Sequence, residues 1–356
     1  MHFSDGQVPA EYRRYIGWKS ALVLATAVLL VGALITGISV GAAGIPIPDV
    51  ARSLAGLEVP RRIDAIVWNI RLPQALTAIM GGAGLAVSGA VMQSILRNPL
   101  GSPFTLGISH AAAFGAALSV MFLGGGIMTS TSADAVNITN PYITTGAAFL
   151  FSLLGAGVII MVSRLRGATP EVMVLTGVAL GALFTAGTMF LQYFADDVQL
   201  AAMVFWTFGD TSRASWSELG VITVVTLSCC AYFLANAWNY NAIDAGDETA
   251  RGLGVRVEMI RVVGMLLASL VTAVIIAFLG IIGFVGLVVP HMARRVVGSD
   301  HRFLLPASIL GGGLLLLVSD TAARLLLAPH LLPVSVLTAF MGAPVFIWLI
   351  VRGQRA

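Results

Sequence analysis

Three features of the sequence call for an all-α membrane protein with about ten spanning helices. Apolar residues make up 58% of the chain and charged residues 10%, against roughly 45–50% and 25% in soluble domains. The apolar residues gather in windows of about 20, the helix length that a bilayer core of roughly 30 Å demands. Those windows are unbroken, whereas a membrane barrel would show apolar and polar residues alternating over segments of about ten.

In chain order the expected spans lie near 18–40, 69–95, 104–124, 141–163, 170–194, 217–236, 258–280, 282–297, 303–327 and 333–352. They form one transmembrane domain over 1–356, with an N-terminal tail at 1–17. The first apolar stretch, 21–40, exceeds the roughly 7–15 residues of a signal-peptide core, so it is expected to remain as a helix. The second carries Gly81-Gly82-Ala83-Gly84 and Gly89, and the ninth Gly311-Gly312-Gly313. Such small-residue patches let membrane helices approach closely. Arg97-Asn98-Pro99-Leu100-Gly101-Ser102-Pro103 joins the second and third spans through two prolines, and Val289-Pro290-His291 puts another proline near the end of the eighth. Proline removes a backbone donor and stops or kinks a helix. Irregular backbone at membrane depth is tolerated only inside protein or beside a water-filled cavity, so these breaks point to a pathway. The eighth window is short enough to be a re-entrant piece. The vicinal pair Cys229-Cys230 lies inside the sixth span, which excludes a disulfide framework.

Residues 244–256 break the pattern. Five of these thirteen positions are ionisable, with long apolar runs on either side. Each charge would cost roughly 2.5–3.5 kcal/mol or more in hydrocarbon, so the segment belongs to an aqueous loop. Its small residues and paired glycines suit a short helix against which a partner packs. With the N-terminus inside, the cytoplasmic loops hold fourteen of the twenty basic residues, and the outer loops hold only Arg52, Arg61, Arg62, Arg71, Arg213 and Arg324. That asymmetry predicts both termini and the charged island on the cytoplasmic side. Topology then accounts for the basic balance, and no nucleic-acid partner is implied.

The chemistry on offer is sparse. Lys19 is the single lysine and follows Trp18, where a phosphate-cradling loop needs glycine before its lysine. No ATP site is expected in this chain, and no metal motif or cofactor. Ser109-His110 would make a poor nucleophile and base, because adjacent residues on a helix point about 100° apart. His110 is expected to line a cavity or meet a backbone carbonyl. An ion-coupled carrier is the rival of another class. Such carriers usually place an acidic or histidine relay at mid-membrane, yet Asp320 and Glu171 sit near span ends and Asp196-Asp197 at an outer mouth. A separate ATPase acting on the charged island fits better, which makes the chain a transport subunit and not an enzyme.

Gly283-Phe284-Val285-Gly286-Leu287-Val288-Val289-Pro290-His291, followed by Asp300-His301-Arg302 and Leu304-Leu305-Pro306, resembles the FecCD-type permeases. These are the membrane subunits of ABC importers for iron–siderophores, haem and cobalamin. Arg71-Leu72-Pro73, Ser88-Gly89-Ala90-Val91-Met92-Gln93, Asn98-Pro99-Leu100, Leu106-Gly107-Ile108-Ser109 and Gly246-Asp247-Glu248 are similar too. So are Ala250-Arg251-Gly252-Leu253-Gly254, Ser319-Asp320-Thr321-Ala322-Ala323-Arg324, Leu332-Pro333-Val334 and Gly342-Ala343-Pro344-Val345-Phe346. Together, in order, they cover about 18–352. The resemblance implies a type II ABC importer permease in the inner membrane. It further implies ten helices per subunit, a homodimer with the pathway at its centre, two cytoplasmic ATPases that hold ATP and magnesium, and a periplasmic or lipid-anchored substrate-binding protein.

Residue roles carry over in the same way. Arg71 and Arg324, with Asp320 beside the latter, match the outer side chains that dock the binding protein. Gln74 stands where the cobalamin permease has a second arginine, a departure for which Arg61 or Arg62 could compensate. Asp247, Glu248, Ala250, Arg251, Gly252, Leu253 and Gly254 match the coupling helices over 243–257. Gly252 and Gly254 would permit the tight turn, and Leu253 would plug an apolar notch on the ATPase. Asn98, Pro99, Leu100, Pro170 and Glu171 match the cytoplasmic gate, though the cobalamin permease has small hydroxyl residues where this chain has Pro170 and Glu171. Met92, Gln93, Met173, Met189 and Gln192 are candidate lining residues of a smooth conduit. The outer loop over 124–142 carries Ser, Thr and Asn and could reflect the particular binding protein. A ferric siderophore is the expected cargo, with haem and cobalamin as alternatives.

Overall fold

A computed structural model of the chain describes residues 10–41, 44–123, 127–128, 136–137, 141–166, 169–327, 330 and 332–353. Each of the ten expected spans coincides with a helix. They are α1 (Ala10–Ser39), α4 (Leu72–Ile95), α5 (Ile108–Phe122), α6 (Pro141–Leu165), α7 (Pro170–Phe194), α9 (Trp216–Ala235), α12 (Val257–Leu279), α13 (Val285–Val297), α14 (His301–Leu326) and α15 (Val334–Gly353). Among the described residues, seven helices are long and apolar enough to cross a membrane, while α5 and the apolar part of α15 are shorter. At 13 residues, α13 is half a span, in keeping with a re-entrant piece. The protein is a multi-pass membrane protein.

Short elements fill the joints. They are α2 (Ile47–Leu54), α3 (Arg61–Ile66) running through a π-helical turn (Val67–Arg71) into α4, α8 (Asp197–Thr207), α10 (Ala237–Asp244) and α11 (Asp247–Gly252). Capping explains two starts. Asp196 and Gln199 form a capping box at α8, and Ser215 and Glu218 form one at α9, each satisfying backbone donors that a helix start leaves open. Helix α1 begins at Ala10, inside the expected tail, and Lys19 is buried in it with its ammonium over the Tyr15 ring at 4.0 Å. The loop over 124–142 lies outside the described residues, apart from the strand pair β1 (Ile127–Met128) and β2 (Val136–Asn137) and the start of α6.

Helices α4 and α12 are enclosed, whereas α1 and α7 turn most of their surface outward. Around α4 pack α14, α12, α13 and α9, and α5 packs with α6 and α7. The glycine patches make this approach possible. A Cβ added at Gly82 would overlap the Gly312 carbonyl, and one at Gly89 the Gly286 carbonyl.

Pro290 does not end α13 but sits inside it, and the chain departs from helix at 280–284, the joint between the seventh and eighth expected spans, where Phe284 has φ +67°. Within α13 the proline acts on Gly286, four residues before it. The Gly286 carbonyl has lost its helical donor and faces the Gly89 backbone on α4. The irregular stretch has partners inside the protein: Gly280 N donates to Ile276 O and Val285 N to Gly283 O, both at 2.8 Å, and Ile281 forms a bridge with Phe208. That agrees with the requirement on non-helical backbone at membrane depth.

Candidate functional site

The expected site residues fall at the two ends of the bundle and in its middle, and the ends differ in character. At the end where α4 stops, α10 and α11 form a short helical elbow. Gly254 at φ +84° closes α11, with its N–H on Arg251 O and the Val255 N–H on Ala250 O, both at 2.9 Å. This is the pair of bonds of a Schellman turn, whose left-handed position favours glycine. Ala250 is fully buried under the turn, while Leu253, at the tip, is 71% exposed. Glu248, Arg251, Gly252 and Gly254 are exposed beside it. Gly252 was expected to share in the turn, but it has ordinary helical backbone; the left-handed step belongs to Gly254 alone.

Asp247 points the other way. Its carboxylate accepts from both terminal nitrogens of Arg261, at 3.0–3.3 Å, and Arg261 is 2% exposed. The same guanidinium donates through Nε to Ile95 O at 2.8 Å. Asp247 is therefore an internal anchor of the elbow. A second tie joins α10 to α4 through Ser94 Oγ on Asp244 Oδ1 at 2.8 Å. Next to it, Asn241 binds Asp300, the cap of α14. Partial burial opposes ionisation of Asp300, but hydrogen bonds from Arg302 and Asn241 outweigh it and hold the carboxyl down at about 2.

The residues expected at the gate share this end. Asn98 is half-buried and its Oδ1 accepts from Leu100 N at 2.9 Å, whereas Pro99 and Leu100 are exposed. Arg97 just before them has φ +47°. Pro170 and Glu171 open α7, half-buried and exposed respectively.

At the opposite end the residues expected to dock the binding protein have partners inside the bundle. Arg71 is 6% exposed and donates to Ile38 O at 2.6 Å and Ser39 O at 2.9 Å. Arg324 donates to Gly37 O at 3.2 Å and pairs with Asp320 at 3.2 Å. Two guanidinium groups thus hold the last carbonyls of α1, which lack helical donors and carry the negative end of the helix dipole. Asp320, itself 2% exposed, accepts from Gln74 at 3.1 Å and from Thr211. These side chains close a polar knot between α1, α4 and α14, in which their hydrogen-bonding groups are engaged within the bundle. The departure noted at Gln74 finds its place here, since a neutral donor is what a buried carboxylate already paired with arginine accommodates. The arginines left exposed at this end are Arg52, Arg61, Arg62 and Arg213, the last of which donates to Phe205 O at 2.7 Å and Trp206 O at 3.1 Å.

The pathway candidates divide. Met92 and Met173 are fully buried in the main core and Gln93 is 2% exposed, its amide on Leu287 O at 3.3 Å. Their helix faces meet neighbouring helices of the same bundle. Met189 is 62% exposed and Gln192 is half-buried on the outward side of α7. His110 is half-buried, its ring 5.4 Å from that of Phe104, and its Nδ1 meets no carbonyl.

A model of the FecCD transport family matches residues 28–352. A Methanocaldococcus jannaschii protein described as an ABC transporter permease is 49% identical over 345 residues, covering 97% of this chain and 98% of that one. The hemin transport system permease protein of Yersinia pestis is 40% identical over 290 residues, covering 81% and 84%. A solved structure described as a metal-chelate type ABC transporter in an inward-facing conformation superposes with a TM-score of 0.81 at 29% identity, over 94% of this chain and 99% of that one.

Proposed function

The chain belongs to the FecCD transport family of ABC importer permeases, and on that premise we propose that it carries an iron chelate inward across the inner membrane, driven by two separate ATPases. The elbow end faces the cytoplasm, as the excess of basic residues there requires. ATP and magnesium then reside on the partner chains, and a periplasmic or lipid-anchored binding protein delivers the cargo at the opposite end. The observation that carries this reading is the elbow itself. A rigid, glycine-closed turn holds an apolar side chain, Leu253, out in water on a polar segment. An isolated leucine held clear of its own fold is suited to an apolar notch on another protein.

The chelate passes between two copies of the chain. Met189 and Gln192, on the outward side of α7, face that conduit, and their lack of charge suits a bulky cargo that is not gripped. A ferric siderophore is the proposed cargo. Haem is a second reading, favoured by the 40% identity to the hemin permease. Binding-protein docking falls to Arg61 and Arg62, which are exposed where Arg71 is not.

Cross-linking tests the elbow's role. A cysteine at Leu253 should join the purified ATPase on oxidation, while one at Tyr193, exposed on α7, should not. Equal cross-linking at both would remove the support. A thermal-shift screen of the cognate binding protein against ferric siderophores, haem and cobalamin identifies the cargo.

A further inference from the structure

We propose that Arg261 is the joint through which movement of the ATPase-contacting elbow reaches the gate. This rests on the coupling role just proposed for the elbow. The geometry is a continuous line of contacts from Leu253 to Pro99. Leu253 caps α11, a six-residue helix locked at its far end by the Schellman turn, so α11 can shift only as a unit. Its first residue, Asp247, is held two-pronged by Arg261. The Nε of that guanidinium grips the Ile95 carbonyl, the last helical residue of α4. Two residues on, Arg97 takes a left-handed backbone, approaches Asp247 at 4.0 Å, and leads into Asn98-Pro99-Leu100.

Three physical features make this a joint and not a passive contact. First, the fork of an arginine fixes the direction of its carboxylate as well as its distance, so rotation of α11 must turn the guanidinium plane. Second, Arg261 rises from the second turn of α12, one of the two enclosed helices, which supplies a fixed fulcrum. Third, two backbone bonds tie the gate loop back to α4, Arg97 N to Ser94 O and Asn98 N to Gln93 O, while Gly101 N closes the loop onto Asn98 O. A pull on Ile95 O acts at the root of these bonds. The Ser94–Asp244 hydrogen bond runs beside this line and joins the same two parts, α4 and the elbow.

The test uses two variants in the full chain. Arg261→Lys keeps the charge but loses the fork. The double variant Arg261→Met with Asp247→Asn removes both charges together, so no unpaired charge is left buried. In nanodiscs without partners, amide exchange at Arg97, Asn98 and Gly101 should quicken about tenfold in both, the effect of losing one charge-assisted hydrogen bond. Reassembled with the ATPase, Arg261→Lys should co-purify and hydrolyse ATP at the wild-type basal rate, while chelate uptake per ATP falls about tenfold or more. Unchanged exchange, or unchanged uptake per ATP in both variants, overturns the proposal. So does a loss of uptake that merely tracks lost assembly, because that is what a purely structural role produces. If the wild-type chain itself shows uptake without ATP, the ATPase-driven reading fails, and the exchange measurement on the isolated chain still decides whether Arg261 links elbow and gate.

Discussion

Replacing Arg71 by methionine separates a structural role from a docking role for this residue. The side chain is 6% exposed and supplies two hydrogen bonds to the end of α1, at 2.6 and 2.9 Å. Hydrogen bonds from a charged donor contribute about 1.5–3 kcal/mol each. Methionine keeps most of the volume and also relieves the desolvation of a buried guanidinium, so the net loss is roughly 2–4 kcal/mol. An unfolding entropy of about 2.1 cal/mol/K per residue, taken over 356 residues, makes that a fall of roughly 3–5 °C in melting temperature. The assay is thermal unfolding of the purified protein in detergent, read beside ATP hydrolysis with and without the binding protein. The expected result is a lower melting temperature, with the ratio of stimulated to basal hydrolysis preserved in the folded fraction. An unchanged melting temperature with stimulation abolished would refute the buried-knot assignment and return Arg71 to the docking surface.

The exposed arginines should behave in the opposite way. Arg61→Glu with Arg62→Glu is expected to leave the melting temperature unchanged and to weaken binding-protein stimulation, most at low salt where surface charges are least screened. A loss that is equal at low and high salt would count against an electrostatic contact. For the lining residues, Met189→Trp should be tolerated in expression and stability yet slow uptake, since its side chain lies on the open side of α7. Met92→Trp should lower the melting temperature by overpacking, at a cost of roughly 1–3 kcal/mol; uptake lost without any change in stability would reinstate Met92 as a pathway residue.

The ten helices were legible because hydropathy over about 20 residues is a strong signal and the bilayer leaves few alternatives. The short elements were not, since α2, α8 and α10 are well below that window. Two of the joints nevertheless had local signatures in Asp196/Gln199 and Ser215/Glu218. The elbow stood out by charge density, and the Gly254 turn followed from its glycine. What charge density could not reveal was direction: Asp247 turns inward to Arg261 while Leu253 turns outward. The same holds at Arg71, because an arginine at a span end reads alike whether it meets a partner, a headgroup or the carbonyls of a neighbouring helix. Pro290 stands inside α13 without ending it, and the carbonyl it frees, that of Gly286, lies against Gly89.

Uptake into sealed vesicles bears on the energy source itself. The wild-type chain, reassembled with its ATPase and loaded binding protein, should accumulate the iron chelate only when ATP is present on the elbow side. Leu253→Asp should abolish that uptake while the protein still inserts and folds, because the exposed tip contributes nothing to the core. Accumulation without ATP that rises with an imposed proton or sodium gradient, and is indifferent to Leu253→Asp, would contradict an ATPase-driven importer and make the chain an ion-coupled carrier.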